Sequence, residues 1–161
     1  MDTVSPGPSP RRDERILAID LGERRIGLAL AEPGNTLVGG LPTLDRKTLK
    51  GSAVQAIARI VEEHRIDRVV LGIPYSMDGT EGPAARSARE FEAELTVGLG
   101  VPVEEWDERL TSEAARTRLR DLGYSEREMR SRVDQLSAVL MLEGWLRARE
   151  LSEDRETEGR G

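Results

Sequence analysis

The segment ILAIDLGERRIGLAL, residues 16–30, constrains the fold of this chain more than any other stretch. Two apolar runs flank three charged residues, Glu23 to Arg25, which is the pattern of two consecutive strands joined by a tight turn. The first run ends in Asp20. Because an unpaired charge is costly to bury, Asp20 is expected either to stabilise the turn through its side chain or to serve a site at the end of the strand.

The remainder of the chain alternates between helical and extended patterns. The expected strands cover residues 15–20, about 25–31, about 36–43, 68–74 and 101–107. The expected helices cover about 52–64, about 84–95, about 111–122 and about 125–150. Three consecutive strands with short turns indicate an antiparallel meander, and strand–helix units follow it. The pattern therefore predicts an α/β domain in which a mixed five-stranded sheet is flanked by helices.

The domain organisation follows from length and composition. The chain has 161 residues, which suits one domain, expected at 14–150. Residues 1–13 are rich in Pro, Ser and Gly, and residues 151–161 are almost wholly charged or Gly, so both are expected to be disordered tails. The absence of cysteine excludes disulfides, thiolate zinc sites and cysteine nucleophiles. No segment has the apolar length of a membrane span, and a cytoplasmic location is expected.

The charge balance leaves the nature of the partner open. The net charge is −6, yet nearly all of the 24 basic residues are arginines, with Lys47 and Lys50 the exceptions. The planar guanidinium suits bidentate contacts with phosphate, although a high arginine content can equally reflect genome composition. Aromatic residues make up only 3% of the chain, so base stacking is a poor candidate for the main binding mode.

Acidic residues stand at three places that an α/β fold can bring together. Asp20 ends the first strand, Asp107 and Glu108 end the last, and Asp134 lies on the apolar stripe of the final helix. Ligands gather outside the carboxyl ends of strands in such sheets. Convergent carboxylates are what Mg²⁺ or Mn²⁺ requires, and two such ions can activate water for phosphodiester cleavage.

Each acid also has a structural interpretation that the sequence leaves open. Asp20 could form a turn, and Asp107 with Glu108 could be a solvated strand end paired with Arg109. Asp134 stands three residues after Ser131 and could complete a capping box at a helix start. The order of the three acids along the chain is more specific than any one of them.

Four motifs carry a resemblance to a known family: AIDLGERRIGLA, VVLGIPYSMDGTEGP, DERLTS and VDQLSAVLML. Together they resemble the YqgF family, the RuvX-type Holliday junction resolvases, also described as pre-16S ribosomal RNA nucleases, which have the ribonuclease H-like fold. The resemblance implies that Asp20, Glu108 and Asp134 are the catalytic carboxylates and hold Mg²⁺ or Mn²⁺, with Asp107 as the alternative to Glu108. It also implies that Arg109 contacts the scissile phosphate.

The expected substrate-binding residues surround these acids. Arg24 and Arg25 lie in the first turn, and Ser76, Gly79 and Thr80 lie in the loop PYSMDGTEGP. That loop is longer than such a connection needs and is expected to close over a nucleic-acid backbone. A second set of arginines, partly on one helix face, comprises Arg116, Arg118 and Arg120.

The chain departs from the family pattern at two places. The loop has Tyr75-Ser76 where the family commonly has Leu-Asn, which leaves its contacts open. Junction-resolving relatives of the same fold carry a second Asp three residues after the helix Asp, and this chain has Ser137 there. Two-metal binding is therefore less secure in this chain.

The resemblance implies a metal-dependent endonuclease that acts in 5′-end processing of pre-16S rRNA during ribosome biogenesis. The alternatives are a Holliday junction resolvase acting on branched DNA and a non-catalytic RNA-binding ribosome-assembly factor. Expected partners are precursor rRNA, branched DNA and ribosome-assembly proteins, with no membrane contact, for a monomer or homodimer. The segment AIDLG also resembles the phosphate-binding hairpin of the actin and sugar-kinase superfamily, but the second hairpin which those proteins need is missing.

Overall fold

In the computed structural model, residues 13–34, 37–108 and 111–159 are described. The strands are β1 (Ile16–Leu21), β2 (Arg25–Ala31), β3 (Val38–Asp45), β4 (Arg68–Ile73) and β5 (Val103–Asp107). The helices are α1 (Ala53–Glu63), α2 (Pro83–Gly98), α3 (Thr111–Asp121) and α4 (Glu126–Glu158). Within the described ranges, no helix is both long and apolar enough to cross a membrane.

The strands form one mixed five-stranded sheet in the order β3-β2-β1-β4-β5. β1 pairs with β2 and β2 with β3 in antiparallel fashion, whereas β1 with β4 and β4 with β5 are parallel. The antiparallel meander and the strand–helix units expected from the sequence are both confirmed. This is the α/β arrangement expected of a ribonuclease H-like domain.

The two faces of the sheet carry different helices. On one face, Leu17, Ile19 and Leu71 join a core that includes Ile57 of α1 and Phe91 of α2. On the opposite face, Ile16, Ala18 and Val70 pack against Met141, Leu142 and Trp145 of α4. Successive residues of a strand point to opposite faces, so Asp20, in alternation with Ile16 and Ala18, lies on the α4 face.

The helix ends follow local sequence signals. Ser52 and Gln55 form the expected capping box at the start of α1. Gly123, with φ +86°, ends the α3 region as expected, because glycine adopts this left-handed conformation without strain.

Helix α4 differs from the expectation at both ends. Its capping box is made by Ser125 and Glu128, so Ser131 lies inside the helix and is not its N-cap. The helix also continues to Glu158, so residues 151–158, expected to be a disordered tail, are helical here. Once a helix is nucleated, each further residue adds at little cost, and neither Pro nor a second Gly interrupts the chain between Gly144 and Gly159.

Glu104 of β5 holds α4 against one face of the sheet through side-chain hydrogen bonds. Its Oε2 atom accepts hydrogen bonds from Nε1 of Trp145, at 3.1 Å, and from the Arg149 guanidinium. Its Oε1 atom accepts from Nη1 of the buried Arg68 at 2.6 Å. A half-buried carboxylate that accepts three charge-assisted or indole bonds is well satisfied, and the helix that carries Asp134 is thereby tied to the edge strand.

Candidate active site

The structure brings Asp20 and Glu108 into contact. Asp20 stands near the carboxyl end of β1, and Glu108 directly follows β5, with its backbone N–H donating to the Ile73 carbonyl at 3.3 Å. Burial raises the pKa of Glu108 to about 9, with further contributions from the charge of Asp20, a hydrogen bond with Asp20 and the charge of Asp107. Two carboxyl groups in this arrangement share a proton at neutral pH.

Gly72 makes the space that Glu108 occupies. A Cβ atom at position 72 would lie 3.1 Å from Cδ of Glu108 and 2.7 Å from Sδ of Met141, with an oxygen of the Glu108 carboxyl closer still. The register of β1 with β4 reaches the pair Ile19–Leu71, so Gly72 comes next to Asp20 on the neighbouring strand. On the other side, Asp20 lies opposite Gly27 of β2. The carboxyl pair is therefore set in a depression floored by glycine.

Gly72 was not among the residues expected at the site. The signal was present, because a glycine in the middle of the apolar run RVVLGI weakens a strand and marks a place where another group approaches closely.

Asp134 lies in α4, and its side chain is outside the described part of the structure. Its position in the helix is seven residues, or two turns, before Met141, which contacts the Gly72 depression. Among the described residues, no group of three His, Cys, Asp or Glu side chains could hold a metal ion. Of the three carboxylates predicted to hold the metal, the structure describes the side chains of Asp20 and Glu108.

The chemistry of this pair fits a hard divalent cation. Oxygen donors from carboxylates are the ligands that Mg²⁺ and Mn²⁺ prefer. Without a cation, one of the two groups must hold a proton, as the raised pKa of Glu108 shows. A divalent charge at the pair would favour ionisation of both groups, because it offsets the repulsion and the desolvation that raise this pKa.

Arg24 lies in the turn between β1 and β2, and Arg25 is the first residue of β2. The turn is closed by a 2.9 Å hydrogen bond from the Gly22 N–H to the Arg25 carbonyl, and a Cβ at position 22 would lie 2.5 Å from that oxygen. Both arginines are exposed, and Arg24 is 3.9 Å from Asp45. Arg109, expected beside the acids, lies outside the described residues.

The loop from Pro74 to Gly82, called the glycine loop below, is a compact turn. Ser76 N–H donates to the Thr80 carbonyl at 2.9 Å, and Gly79 N–H donates to the Ser76 carbonyl at 2.8 Å. The Thr80 hydroxyl donates to Asp78 at 2.6 Å, and this bond is the main reason why the pKa of Asp78 is lowered. Thr80 would have to exchange that bond to contact a phosphate, whereas Ser76 is exposed.

The second set of arginines lies on α3, which packs against α4. Arg116, Arg118 and Arg120 are exposed, and Arg118 is 3.8 Å from Glu143 of α4. In α4 itself, the Arg132 guanidinium lies 4.9 Å from the centre of the Tyr124 ring. Helices α3 and α4 thus present several exposed guanidinium groups, of which that of Arg132 belongs to a residue two positions before Asp134.

Comparison with known proteins identifies the family. The model of the RuvX family, described as Holliday junction resolvase, matches residues 14–148. The chain belongs to the RuvX family. A relative from Anaeromyxobacter sp. (strain K), named "Putative pre-16S rRNA nuclease", is 46% identical over 132 residues, which cover 82% of this chain and 96% of the relative. One with the same name from Chloroflexus aurantiacus (strain J-10-fl) is 38% identical over 146 residues, 91% of this chain and 95% of the relative. The resemblance stated from the four motifs is confirmed.

Among solved structures, RuvC from Thermus thermophilus is similar at 16% identity with a TM-score of 0.49, covering 79% of this chain and 92% of that chain. The RuvC structure from the same organism in complex with a Holliday junction substrate has 14% identity and a TM-score of 0.48, covering 80% and 91%.

Proposed function

We propose that this chain is a divalent-metal-dependent nuclease that hydrolyses phosphodiester bonds in the 5′ region of pre-16S rRNA. The observation that carries the proposal is the Asp20–Glu108 pair, held in a glycine-floored depression where β1 and β5 end. The substrate is the one in the names of relatives that share 38–46% of their residues with this chain. A cytoplasmic location and a nuclease domain at 14–150 are part of this proposal, with α4 continuing beyond that domain to Glu158.

Asp20, Glu108 and Asp134 are the residues that would hold Mg²⁺ or Mn²⁺. When bound, the ion supplies a Lewis acid that lowers the pKa of water and neutralises charge on the phosphate. Asp20 and Glu108 must both be ionised to bind it, so Glu108 gives up its proton on binding. The packing of Glu108 over Gly72 and beside Met141 would limit the reorganisation of its carboxylate during the reaction.

The arginines and the glycine loop are proposed to bind the RNA backbone. Arg24 and Arg25 follow Asp20 within one turn, and their guanidinium groups suit bidentate phosphate contacts. The exposed Ser76 and the turn at Gly79 lie in the loop that starts directly after β4. Arg109, next to Glu108 in the sequence, is proposed to contact the scissile phosphate.

Holliday junction resolution is a second candidate because it is the description of the matching family. Ser137 departs from the pattern of junction-resolving relatives of this fold, which carry a second Asp at this position. It is buried, it stands three residues after Asp134, and it supplies no fourth carboxylate for a second ion.

The test compares two substrates and three proteins. The purified chain is incubated with a labelled 5′-leader fragment of pre-16S rRNA or a four-way DNA junction, with Mn²⁺, Mg²⁺ or EDTA. Asp20→Asn keeps the size of the side chain and removes a charge that the cation needs, so cleavage should fall to background while the fold is kept. Glu63→Gln, on α1 at the opposite face, is the charge-matched control. Wild-type rates for Asp20→Asn would contradict the proposal, and cleavage of the junction alone would change the substrate.

A further inference from the structure

Arg89 of α2 is the centre of a cluster that joins three segments of the chain. Its guanidinium donates to Glu81 and to the Tyr75 hydroxyl, both in the glycine loop, and at 2.6 Å to Oε1 of Glu105 on β5. The guanidinium carbon also lies 5.7 Å from the centre of the Tyr75 ring. Arg89, Tyr75, Glu81 and Glu105 are called the Arg89 cluster below.

Arg89 contacts the glycine loop near both of its ends. Tyr75 is the second residue of the loop, and Glu81 is the last but one. Between them, the backbone is already closed on itself by the bonds between Ser76, Gly79 and Thr80. These bonds fix the internal shape of the loop, and the contacts of Arg89 with Tyr75 and Glu81 join its two ends to α2.

The other end of the cluster lies on β5, the strand that leads to Glu108, although the side chain of Glu105 is on the α2 face of the sheet and that of Glu108 is on the α4 face. Glu105 is in the same strand as Asp107, three residues before Glu108. The Ile73 carbonyl accepts hydrogen bonds from the N–H of Tyr75, at 3.0 Å, and from the N–H of Glu108, at 3.3 Å. The start of the loop and the backbone of Glu108 are therefore both hydrogen-bonded to the Ile73 carbonyl oxygen of β4. Through Glu81 and Glu105, Arg89 also links the far end of the loop to β5.

The packing of α2 does not depend on this cluster. The helix is held to the sheet by Ala85, Ala88, Phe91 and Leu95, which are all buried. The Arg89 side chain is 38% exposed, and its contacts are polar. Loss of its guanidinium should therefore leave the core intact and release the loop.

We propose that Arg89 is a positioning residue, which holds the glycine loop at a fixed distance from Glu108 so that the loop can bind the RNA backbone beside the carboxyl pair. This role rests on the proposed function. The planar guanidinium is needed because three partners lie in different directions, and only a fork with several fixed donors reaches them together. A lysine carries the same charge from a single nitrogen.

The test uses Arg89→Gln, Arg89→Lys and the control Arg86→Gln, an exposed arginine one turn earlier on the same helix. Cleavage of the 5′-leader RNA is measured as separate kcat and KM values, with the Mn²⁺ concentration for half-maximal rate. For Arg89→Gln we expect KM to rise at least tenfold, with less than a threefold change in kcat and in the Mn²⁺ requirement. For Arg89→Lys, the increase in log KM should be more than half of that for Arg89→Gln. Arg86→Gln should have the kcat and KM of the wild type.

Amide hydrogen exchange gives a second measurement that needs no cleavage. Exchange of residues 76–80 should be at least tenfold faster in Arg89→Gln than in Arg86→Gln, with the β4 and β5 amides unchanged. Glu81→Gln should give a similar acceleration, and adding it to Arg89→Gln should add little, because both remove the same restraint. If Arg89→Gln does not fold, Glu81→Gln with Tyr75→Phe removes the loop side of the cluster alone.

The outcomes separate this role from the proposed function. Unchanged exchange in the loop, full rescue by lysine, or a loss confined to kcat would overturn the positioning role. A wild-type protein that cleaves neither RNA nor junction overturns the nuclease proposal. In that case, accelerated loop exchange with a tenfold weaker RNA affinity still supports the role of Arg89 in binding, and an unchanged affinity overturns it.

Discussion

The carboxyl group of Glu108 occupies the space over Gly72 where any other residue would place its side chain. Gly72→Ala should therefore displace Glu108 from Asp20 and press on Met141. Overpacking of this kind typically costs about 1–3 kcal/mol, so we expect a lower melting temperature together with the loss of most cleavage activity. Calorimetry and the RNA cleavage assay measure the two effects.

Gly39→Ala is the matched control for that variant. It also lies in a strand of the same sheet, but a Cβ there would have nothing within 4 Å. It should keep both stability and activity. Equal losses in the two variants would mean that the general cost of alanine for glycine in a strand, and not the contact with Glu108, explains the result.

The carboxyl pair predicts how stability depends on pH in the absence of metal. The folded-state pKa of Glu108, about 9, is above its ordinary value of 4.5, so the folded protein binds this proton more tightly than the unfolded chain. The resulting stability is fully present below about 4.5 and is lost as the pH rises through 9, by at most about 1.4 kcal/mol per pH unit. Denaturant unfolding in EDTA between pH 5 and 9 should show this loss in the wild type.

Glu108→Gln should flatten that dependence, because the amide does not titrate, and should make the metal-free protein more stable than the wild type at pH 8. Glu63→Gln serves again as the charge-matched control. Parallel curves for Glu108→Gln and the wild type would mean that the carboxyl pair does not share a proton.

Much of the carboxyl site could be anticipated from the sequence because its signals are local. An acid at the end of an apolar run, followed by a turn with Gly22, marks Asp20 whatever the rest of the chain does. The choice between Asp107 and Glu108 depends on strand alternation, which places Glu108 on the face of Gly72 and α4. Which of the two residues lies on the α4 face was not determined until the register of β5 against β4 was known.

The Arg89 cluster could not be anticipated in the same way. Its members come from a loop, a helix and a strand between Tyr75 and Glu105, and no pattern in a single sequence shows which arginine contacts which acid.

Glu92 is a second residue whose environment could not be anticipated from the sequence. Burial, with a hydrogen bond to Glu105 and the charge of Glu105, raises the pKa of Glu92 to about 7, although in sequence it is an ordinary helix acid.

The arginines near the carboxyl pair predict a strong salt dependence of RNA binding. Each phosphate that they neutralise on a single strand releases about 0.7 counterions. Arg24→Gln with Arg25→Gln should lower the slope of log affinity against log salt by about 1.4 if both contact phosphates. Fluorescence anisotropy with a labelled leader RNA, in Ca²⁺ to prevent cleavage, measures the slope. Arg59→Gln with Arg65→Gln, at α1 and just after it, removes the same charge and should leave the slope unchanged.

Ser137 provides a test of how many metal ions the site uses. Its hydroxyl is buried and has no hydrogen-bond partner in the described part of the structure, so Ser137→Ala should be neutral or stabilising by up to about 1 kcal/mol.

Ser137→Asp adds a carboxylate three residues from Asp134, and we expect it to lower metal-free stability, since buried like charges repel. With Mn²⁺, calorimetric titration should show a rise in stoichiometry from one ion to two if the wild type lacks only this ligand. A wild type that already binds two ions would show that Ser137 does not limit the number of ions bound. The rates of junction cleavage and RNA cleavage by the wild type would then have to be compared under the same conditions.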